Sequence, residues 1–413
     1  MNLLVFNAGS ATLKFAVFEG APPRCRMRGQ VEHFGGATQL LLSVRGQTRS
    51  RRIKADNHAA AVAAILTELM MPQETAFDDR ALVVGHRLVH GGARFSAPLR
   101  LGPQTLNELE GLAPLAPLHL PPALAVVRQV AATQGDKARQ VAVFDTAYFH
   151  DLPPAARDYA LPRERVERFG LRRYGFHGLA HQSLYAQFCE IMRADPARVK
   201  VINFQLGHDC SAAAIEGGRA VDTSMGFTPL DGLVMGTRPG SVDPGLILHL
   251  LDGGIAPADV SEALNHRSGL LALSGASGDM RALLDLEGNG HAGAHAAIDS
   301  FCHAARKHLG AYLTVLGGAD AVLFGGGIGE HAPSIRARIC AGLEWAGLRL
   351  DAAANATPPP SGRISAAGSA IACHVHTVDE ESVIARECQR ALAKSVGPVP
   401  LESHAEITYA SHS

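Results

Sequence analysis

The sequence predicts an α/β protein made of two similar halves, and three features carry that prediction. Short apolar runs alternate with Ala- and Leu-rich stretches along the chain, the order that stacks helices on a sheet. An apolar strand, a small-residue turn and a second apolar strand occur over residues 3–18 and again over 201–218, with Gly9 and Gly207 in the same place. Their separation of about 198 residues reads as an internal repeat. A second echo follows in the same order. Residues 141–144 form a strand ending in Asp145-Thr146, and residues 321–324 form one ending in Gly325-Gly-Gly-Ile-Gly-Glu330.

In chain order, residues 3–6 and 13–18 read as two strands joined by a polar turn. Residues 58–70 are rich in Ala and Leu and predict a helix. Residues 122–132 begin with Pro122, a favoured first-turn residue. Residues 178–192, 294–316, 335–345 and 380–393 also carry helical spacing. The run Thr357-Pro-Pro-Pro360 with Ser361-Gly362 predicts a surface loop. The chain after Val396 predicts a loosely held tail.

The chain has 413 residues, 47% hydrophobic and 19% charged, an ordinary globular composition and enough length for two domains. A net charge of -1 argues against nucleic acid or a membrane surface as partner. Cysteines stand at Cys25, Cys189, Cys210, Cys302, Cys340, Cys373 and Cys388, an odd count with no Cys-x-x-Cys pair. That pattern argues against a disulfide framework or a zinc site and fits a reducing cytoplasm. The start, Met1 to Ser10, lacks a basic region and reaches Asn7 too soon for a signal peptide. No apolar run approaches about 18 residues, so no transmembrane helix is expected. There are 20 histidines, and any one of them is first a solvated or satisfied structural residue.

Several turns are suited to anions. In the first hairpin turn, small residues leave backbone N–H groups to face a phosphate, and Ser10, Thr12 and Lys14 add hydroxyls and a cation. The same segment also reads as an ordinary hairpin turn. Gly85-His-Arg87-Leu-Val-His90-Gly-Gly92 follows an apolar strand. Its arginine sits at a strand end, where open α/β sheets bind ligands, with a surface ion pair as the other reading. Arg172-Arg-Tyr-Gly-Phe-His177-Gly178 sets cations, an aromatic ring and a histidine before a helix, whose N-terminus favours anions. Met235-Gly-Thr-Arg238-Pro-Gly240 presents another arginine in a tight turn. The glycine-rich turn at 325–330 matches the dinucleotide-binding pattern only loosely and comes late in the chain, which argues against a Rossmann dehydrogenase. It suits close packing against a nucleotide. Together these turns describe an anion-handling cleft.

Taken in order, the segments resemble the acetate kinase family along nearly the whole chain. The resemblance rests on Asn7-Ala-Gly-Ser10 with Leu13-Lys14, His86-Arg87-x-Val89-His90-Gly-Gly92, Ala116-Pro-Leu-His119, Phe144-Asp-Thr-Ala147 and Arg172-Arg-Tyr-Gly-Phe-His-Gly178. It continues through Asp222-Thr-Ser-Met-Gly-Phe-Thr-Pro229, Met235-Gly-Thr-Arg238, Asp279-x-Arg281, Gly327-Ile-Gly-Glu330 and Glu380-Glu381. It implies two duplicated RNase H-like α/β domains of the actin and sugar-kinase type with a cleft between them. The first domain is expected over 1–147 with a returning C-terminal segment, 384–413, and the second over 148–383.

The implied activity is reversible, Mg²⁺-dependent transfer of the γ-phosphoryl group of ATP to acetate, giving acetyl phosphate and ADP. Mn²⁺ is a substitute metal. By the same resemblance Arg87 and Arg238 are the carboxylate and phosphoryl clamps, His177 is a further donor to the transferring group, and Asp145 is the active-site acid. A carboxylate nucleophile, with a pKa near ~4–5, needs no general base, so Asp145 is expected to act through charge and metal positioning. Asn7 and Glu380 are the implied Mg²⁺ contacts. Val89, Leu118, Phe176 and Pro229, bordered by His119, are the implied apolar pocket, and Val89 favours acetate over propionate. Asp279, Met280 and Arg281, with Gly327, Ile328, Gly329, Glu330 and His331, are the implied adenosine segments. Lys14 and the turn Gln205, Leu206, Gly207, His208 and Asp209 are the phosphate side. The family implies a cytoplasmic homodimer acting on small molecules, with no nucleic-acid or membrane partner.

The chief departure is in the second hairpin turn. The family pattern there is His-Leu-Gly-Asn-Gly-x-Ser, and this chain has Gln205-Leu-Gly-His-Asp209-Cys-Ser211. Asp209 puts a carboxylate on the phosphate side, unfavourable unless a metal or an arginine offsets it. Two alternatives follow: a related kinase using propionate or a pyrophosphate donor, and a nucleotide-binding relative without catalysis.

Overall fold

The structure is a computed structural model and describes residues 2–9, 12–32, 34, 38–44, 46–69 and 82–394. Ser10, Met70 and the expected tail after Val396 lie outside the described residues. The chain forms two compact units, one of Met1–His150 with Asp379–Ser413 and one of Asp151–Val378.

Unit one is built on β1 (Asn2–Ala8), β2 (Thr12–Glu19), β3 (Arg24–Glu32), β4 (Gln39–Val44), β5 (Gln47–Arg52), β6 (Leu82–Leu88), β7 (Leu99–Arg100) and β8 (Ala138–Phe144). They form one sheet in the order β5-β4-β3-β2-β1-β6-β8-β7. β1 runs antiparallel to β2 and parallel to β6, and β6 runs parallel to β8. Leu3, Leu4, Val5 and Phe6 are all buried, as expected for a strand covered on both faces. The helices His58–Leu69 and Leu120–Gln134 pack on one side, sharing a core with Leu4, Phe6, Leu13 and Phe15. The helix Glu380–Lys394 packs on β1, β6 and β8. It comes so close at Gly85 that a Cβ there would meet Cys388 Sγ at 2.7 Å and Ile384 Cγ2 at 2.9 Å. The edge strand β5 is exposed along its length and carries Arg49, Arg51 and Arg52, charges that discourage edge pairing.

Unit two holds β9 (Lys200–Leu206), β10 (Cys210–Glu216), β11 (Arg219–Thr223), β12 (Ala321–Gly325) and β13 (Ala372–Val375), in the order β11-β10-β9-β12-β13. β9 and β10 are antiparallel, β10 and β11 are antiparallel, and β9, β12 and β13 run parallel. This repeats the order and directions of β3-β2-β1-β6-β8 in unit one, so the β1–β2 hairpin and the β9–β10 hairpin are equivalent, as read from Gly9 and Gly207. The second echo pairs differently from its reading in the sequence. β12 takes the place of β6, and β8 takes the place of β13. Short apolar strands are alike in sequence, and only their neighbours in the sheet tell them apart.

The helix expected over 335–345 runs instead as Pro333–Cys340. Gly342 follows at φ +76°, a left-handed conformation that ends a helix. Trp345, expected on that helix, is 81% exposed. The return of the chain to unit one begins at Asp379, because Arg28 on β3 binds both Asp379 and Glu381.

Candidate active site

In unit one, three parallel strand ends deliver the charged groups. β1 ends near Asn7, β6 carries Arg87 next to its last residue, and β8 runs straight into Asp145. Asp145 is fully buried. Arg87 Nε donates to Asp145 Oδ1 at 3.1 Å and Nη2 to Oδ2 at 2.6 Å, the two-pronged geometry that suits guanidinium and carboxylate. Its third arm, Nη1, donates to Asn7 Oδ1 at 3.1 Å. Burial disfavours the charge on Arg87, but Asp145 and Glu380 more than offset this and hold its pKa above the ordinary value.

Asn7 Nδ2 donates to Glu380 Oε2 at 2.7 Å and to Glu381 Oε1 at 3.0 Å. Asn7 and Glu380 therefore share one spot, and both offer oxygen. That donor set suits Mg²⁺, which takes few protein ligands and completes its shell with water and phosphate. Among the described residues no group of three or more His, Cys, Asp or Glu side chains is gathered to hold a metal. Arg28 fixes the outer part of the cluster through Asp379 at 2.5 Å and Glu381 at 3.2 Å. Burial would raise the Asp379 carboxyl, yet Arg28 and Ser382 hold it below the usual carboxylate range.

In unit two, His177 stands at the start of the helix Gly178–Met192 with φ +58°. A non-glycine residue in that region is strained, and such strain gathers at functional sites. His177 Nδ1 lies 2.9 Å from Ser211 Oγ, and His181 Nε2 lies 2.8 Å from the same oxygen. Burial first, and the neighbouring His177 second, push the His181 pKa down to about 3. His181 is therefore neutral, and Ser211 links it to His177. Arg238 is 7% exposed, and its Nη1 lies 3.0 Å from Asp209 Oδ2. The carboxylate that looked out of place on the phosphate side is thus offset by an arginine.

Beside this turn lies a cavity of about 520 Å³, within the usual size for small-ligand sites. Its walls are Gly207 and His208 from the β9–β10 turn, Gly278 to Arg281, Leu284 and Asp285, and Gly327, Ile328, His331 and Ala332. Gly236 packs under the wall, where a Cβ would meet the His208 ring at 2.5 Å. Asp279 caps the helix Met280–Gly288 by accepting from Ala282 N.

Residues 2–386 match the model of the acetokinase family. The chain belongs to this family. It is 41% identical to an acetate kinase of Solibacter usitatus over 407 residues, covering 95% of this chain and 98% of that one. It is 39% identical to an acetate kinase of Streptomyces coelicolor over 401 residues, covering 96% and 98%. Among solved structures, acetate kinase of Porphyromonas gingivalis matches with a TM-score of 0.84 at 35% identity, over 95% of this chain and 99% of that one. A propionate kinase of Francisella tularensis matches with a TM-score of 0.86 at 31% identity, over 94% and 99%. The fold class is accordingly that of the family, α/β with the actin and sugar-kinase type of duplicated domain.

Within this acetokinase family member, the residues expected from the sequence fall into two groups. Unit one brings together Asn7, Arg87, Asp145 and Glu380. Val89 is buried, Leu118 is 41% exposed, and His119 precedes the helix Leu120–Gln134. Lys14 is exposed on β2, opposite Asn7 in the strand register. Unit two brings Gly207, His208, Asp279, Met280, Arg281, Gly327, Ile328 and His331 around the cavity. It keeps Phe176 buried and Pro229 half-buried. Gln205, Leu206, Asp209, Gly329 and Glu330 are not among the lining residues. Leu206 is in the core, and Glu330 Oε1 accepts from Gly326 N and Val378 N, bracing the glycine-rich turn from behind.

Sequence reasoning passed over three site residues. Ser211 and His181 orient His177; the i, i+4 spacing of His177 and His181 places them on one helical face and was a readable signal. Arg336 is 1% exposed and donates to the carbonyls of Gly329 and Glu330 and to Asn355, so a buried guanidinium holds the turn that lines the cavity. Arg173, by its charge and place in the sequence, is expected among the anion-binding cations. It instead donates to the carbonyls of Thr223, Ser224 and Met225 and pairs with Asp231, fixing a backbone segment.

Proposed function

We propose that this protein is an acetate kinase, transferring the γ-phosphoryl group of ATP reversibly to acetate. The observation that carries the reading is the cavity walled by Gly207, His208, Asp279 to Arg281, Gly327, Ile328 and His331, with a nine-tenths-buried arginine, Arg238, on the adjoining turn. Relatives at 41% and 39% identity over nearly the whole chain are named acetate kinases, which supports the same reading.

The roles follow from chemistry. Acetate is an ionised nucleophile at neutral pH, so alignment and charge neutralisation are what the protein must supply. Asp145 holds Nε and Nη2 of Arg87, which leaves Nη1 as the arm that turns from Asn7 to the acid. Arg238 takes equatorial oxygens of the transferring phosphoryl group. His177, whose Nδ1 meets Ser211, is a further donor to the same group. Asn7 and Glu380 are the residues that would hold Mg²⁺, which when bound would supply positive charge to the phosphate side. Lys14 adds positive charge on the phosphate side. Val89, Leu118, Phe176 and Pro229, bordered by His119, receive the alkyl group.

A propionate kinase is the second reading, favoured by the Francisella tularensis structure. Acetyl phosphate trapped as hydroxamate, with Mg-ATP and acetate beside propionate and a pyrophosphate donor, separates them. Turnover of acetate with ATP supports the first reading, faster turnover of propionate the second, and silence in every arm removes both.

The assembly belongs to the same proposal. The helix Pro244–Asp252 buries none of its residues and presents Leu246 at 49% and Leu250 at 37% exposure, four positions apart on one face. An apolar face of this kind is one that a second copy of the chain covers, and sedimentation as a monomer at all concentrations would remove it. A cytoplasmic location is the matching expectation. Among the described residues no helix is long and apolar enough to cross a membrane.

A further inference from the structure

Arg238 and its counter-anion, Asp209, meet in a geometry unlike that of Arg87 and Asp145. The side chains of Arg238 and Asp209 are 8% and 29% exposed, and the charges meet at 3.0 Å. Yet among the described residues no acceptor lies in line with an N–H of Arg238 Nη1, which is buried without a hydrogen bond. The attraction is ionic and undirected. Arg87 and Asp145, by contrast, share two aligned hydrogen bonds.

Among the described residues the Asp209 carboxylate makes no hydrogen bond that shapes its own turn. Gly207 N donates to the backbone oxygen of Asp209 at 3.1 Å, and Cys210 Sγ donates to Gly207 O at 3.3 Å. The turn is closed by backbone and thiol. Among the described residues the one ionic partner of the Asp209 side chain is Arg238. His208, next in sequence, lines the cavity.

A buried guanidinium needs charge balance and directed acceptors. Asp209 supplies the first and not the second, and a phosphate group supplies both. We propose that Asp209 is a displaceable counter-anion: it balances and steadies Arg238 until an incoming phosphate replaces it, and so sets the affinity for phosphorylated substrates. Asp209 is thus a positioning residue and touches no reacting atom. The proposal rests on the reading of Arg238 as a phosphoryl clamp.

The test compares the wild type with Asp209→Asn and Asp209→Gly, each also combined with Arg238→Ala. Binding of Mg-ATP and of inorganic pyrophosphate is measured by calorimetry at fixed salt, beside KM for ATP and for acetate. Both single variants are expected to bind the phosphates about three- to tenfold more tightly, the range of a partly screened charge interaction. KM for ATP falls with them, and KM for acetate does not move. The gain disappears when Arg238 is alanine. Binding no tighter than wild type, or a gain that survives the loss of Arg238, overturns the proposal. A purely structural role for Asp209 would weaken binding or lower kcat without splitting the two KM values. Calorimetry does not depend on turnover, so a protein that binds ATP but phosphorylates neither acid would defeat the kinase reading and leave this comparison standing.

Discussion

Each unit presents a buried arginine, and the two are held in opposite ways. Arg87 of unit one is gripped by the fully buried Asp145 through Nε and Nη2, with Asn7 on the remaining arm. Arg238 of unit two meets the half-buried Asp209 through one undirected contact. A fork-to-fork pair in a dry interior is rigid, since either partner alone would be a stranded charge. A single contact beside solvent is replaceable, since the carboxylate can return to water. Unit one is therefore built to hold its shape, and unit two to exchange one anion for another.

Removing the first arginine is the severest test of this contrast. Arg87→Ala is expected to lower kcat by about 10²–10³-fold, the loss typical of one charge-stabilising donor. It should also cost about 3–5 kcal/mol of stability, because Asp145 keeps its burial and loses its guanidinium. Denaturant midpoints check the second part, and an unchanged midpoint would break the comparison. Arg238→Ala should lose activity on the same scale, about 10²–10³-fold, while stability moves by no more than about 1 kcal/mol. If both variants unfold alike, the two pairs are not held differently.

Acid should weaken both units. Burial lowers the pKa of His86 and His90 in unit one to about 4 each, and of His181 and His376 in unit two to about 3 and about 4. With folded values below the ordinary 6.5, the unfolded chain takes up protons first as pH falls. The stability is present in full above about 6.5 and is lost as pH falls through the folded values, by up to about 1.4 kcal/mol per pH unit for each group. Urea unfolding between neutral pH and the acid limit measures the slope, and a flat profile contradicts it. The smallest effect is expected at Val89, where Val89→Ala should shift acid preference towards propionate by about tenfold. A ratio of kcat/KM for the two acids that does not move would show that another residue sizes the pocket.

Much of unit one was legible because local chemistry announces it. An apolar strand that ends in Gly85-His-Arg87, and another that ends in Asp145, put charge where strand ends bind ligands. What the sequence concealed was the company those residues keep. Glu381 reaches Asn7 across 374 positions and Arg28 across 353, and nothing in the local pattern links them. The same limit explains the misaligned echo, since β8 and β12 are alike as strings and differ only in which strands flank them. It also explains Arg173, which was read by its charge and is placed by backbone carbonyls.

By itself the sequence determined the α/β alternation, the duplicated hairpin, the family and the positions of the arginines, because these depend on periodicity, on glycine and on residue chemistry at short range. The tertiary structure alone decided which charge faces which: Asp145 on Arg87, Asp209 on Arg238, Ser211 between two histidines, and Arg336 behind the glycine-rich turn. The reason is that the strength of an ion pair or hydrogen bond depends on direction and burial, and both arise only when distant strands close into a sheet.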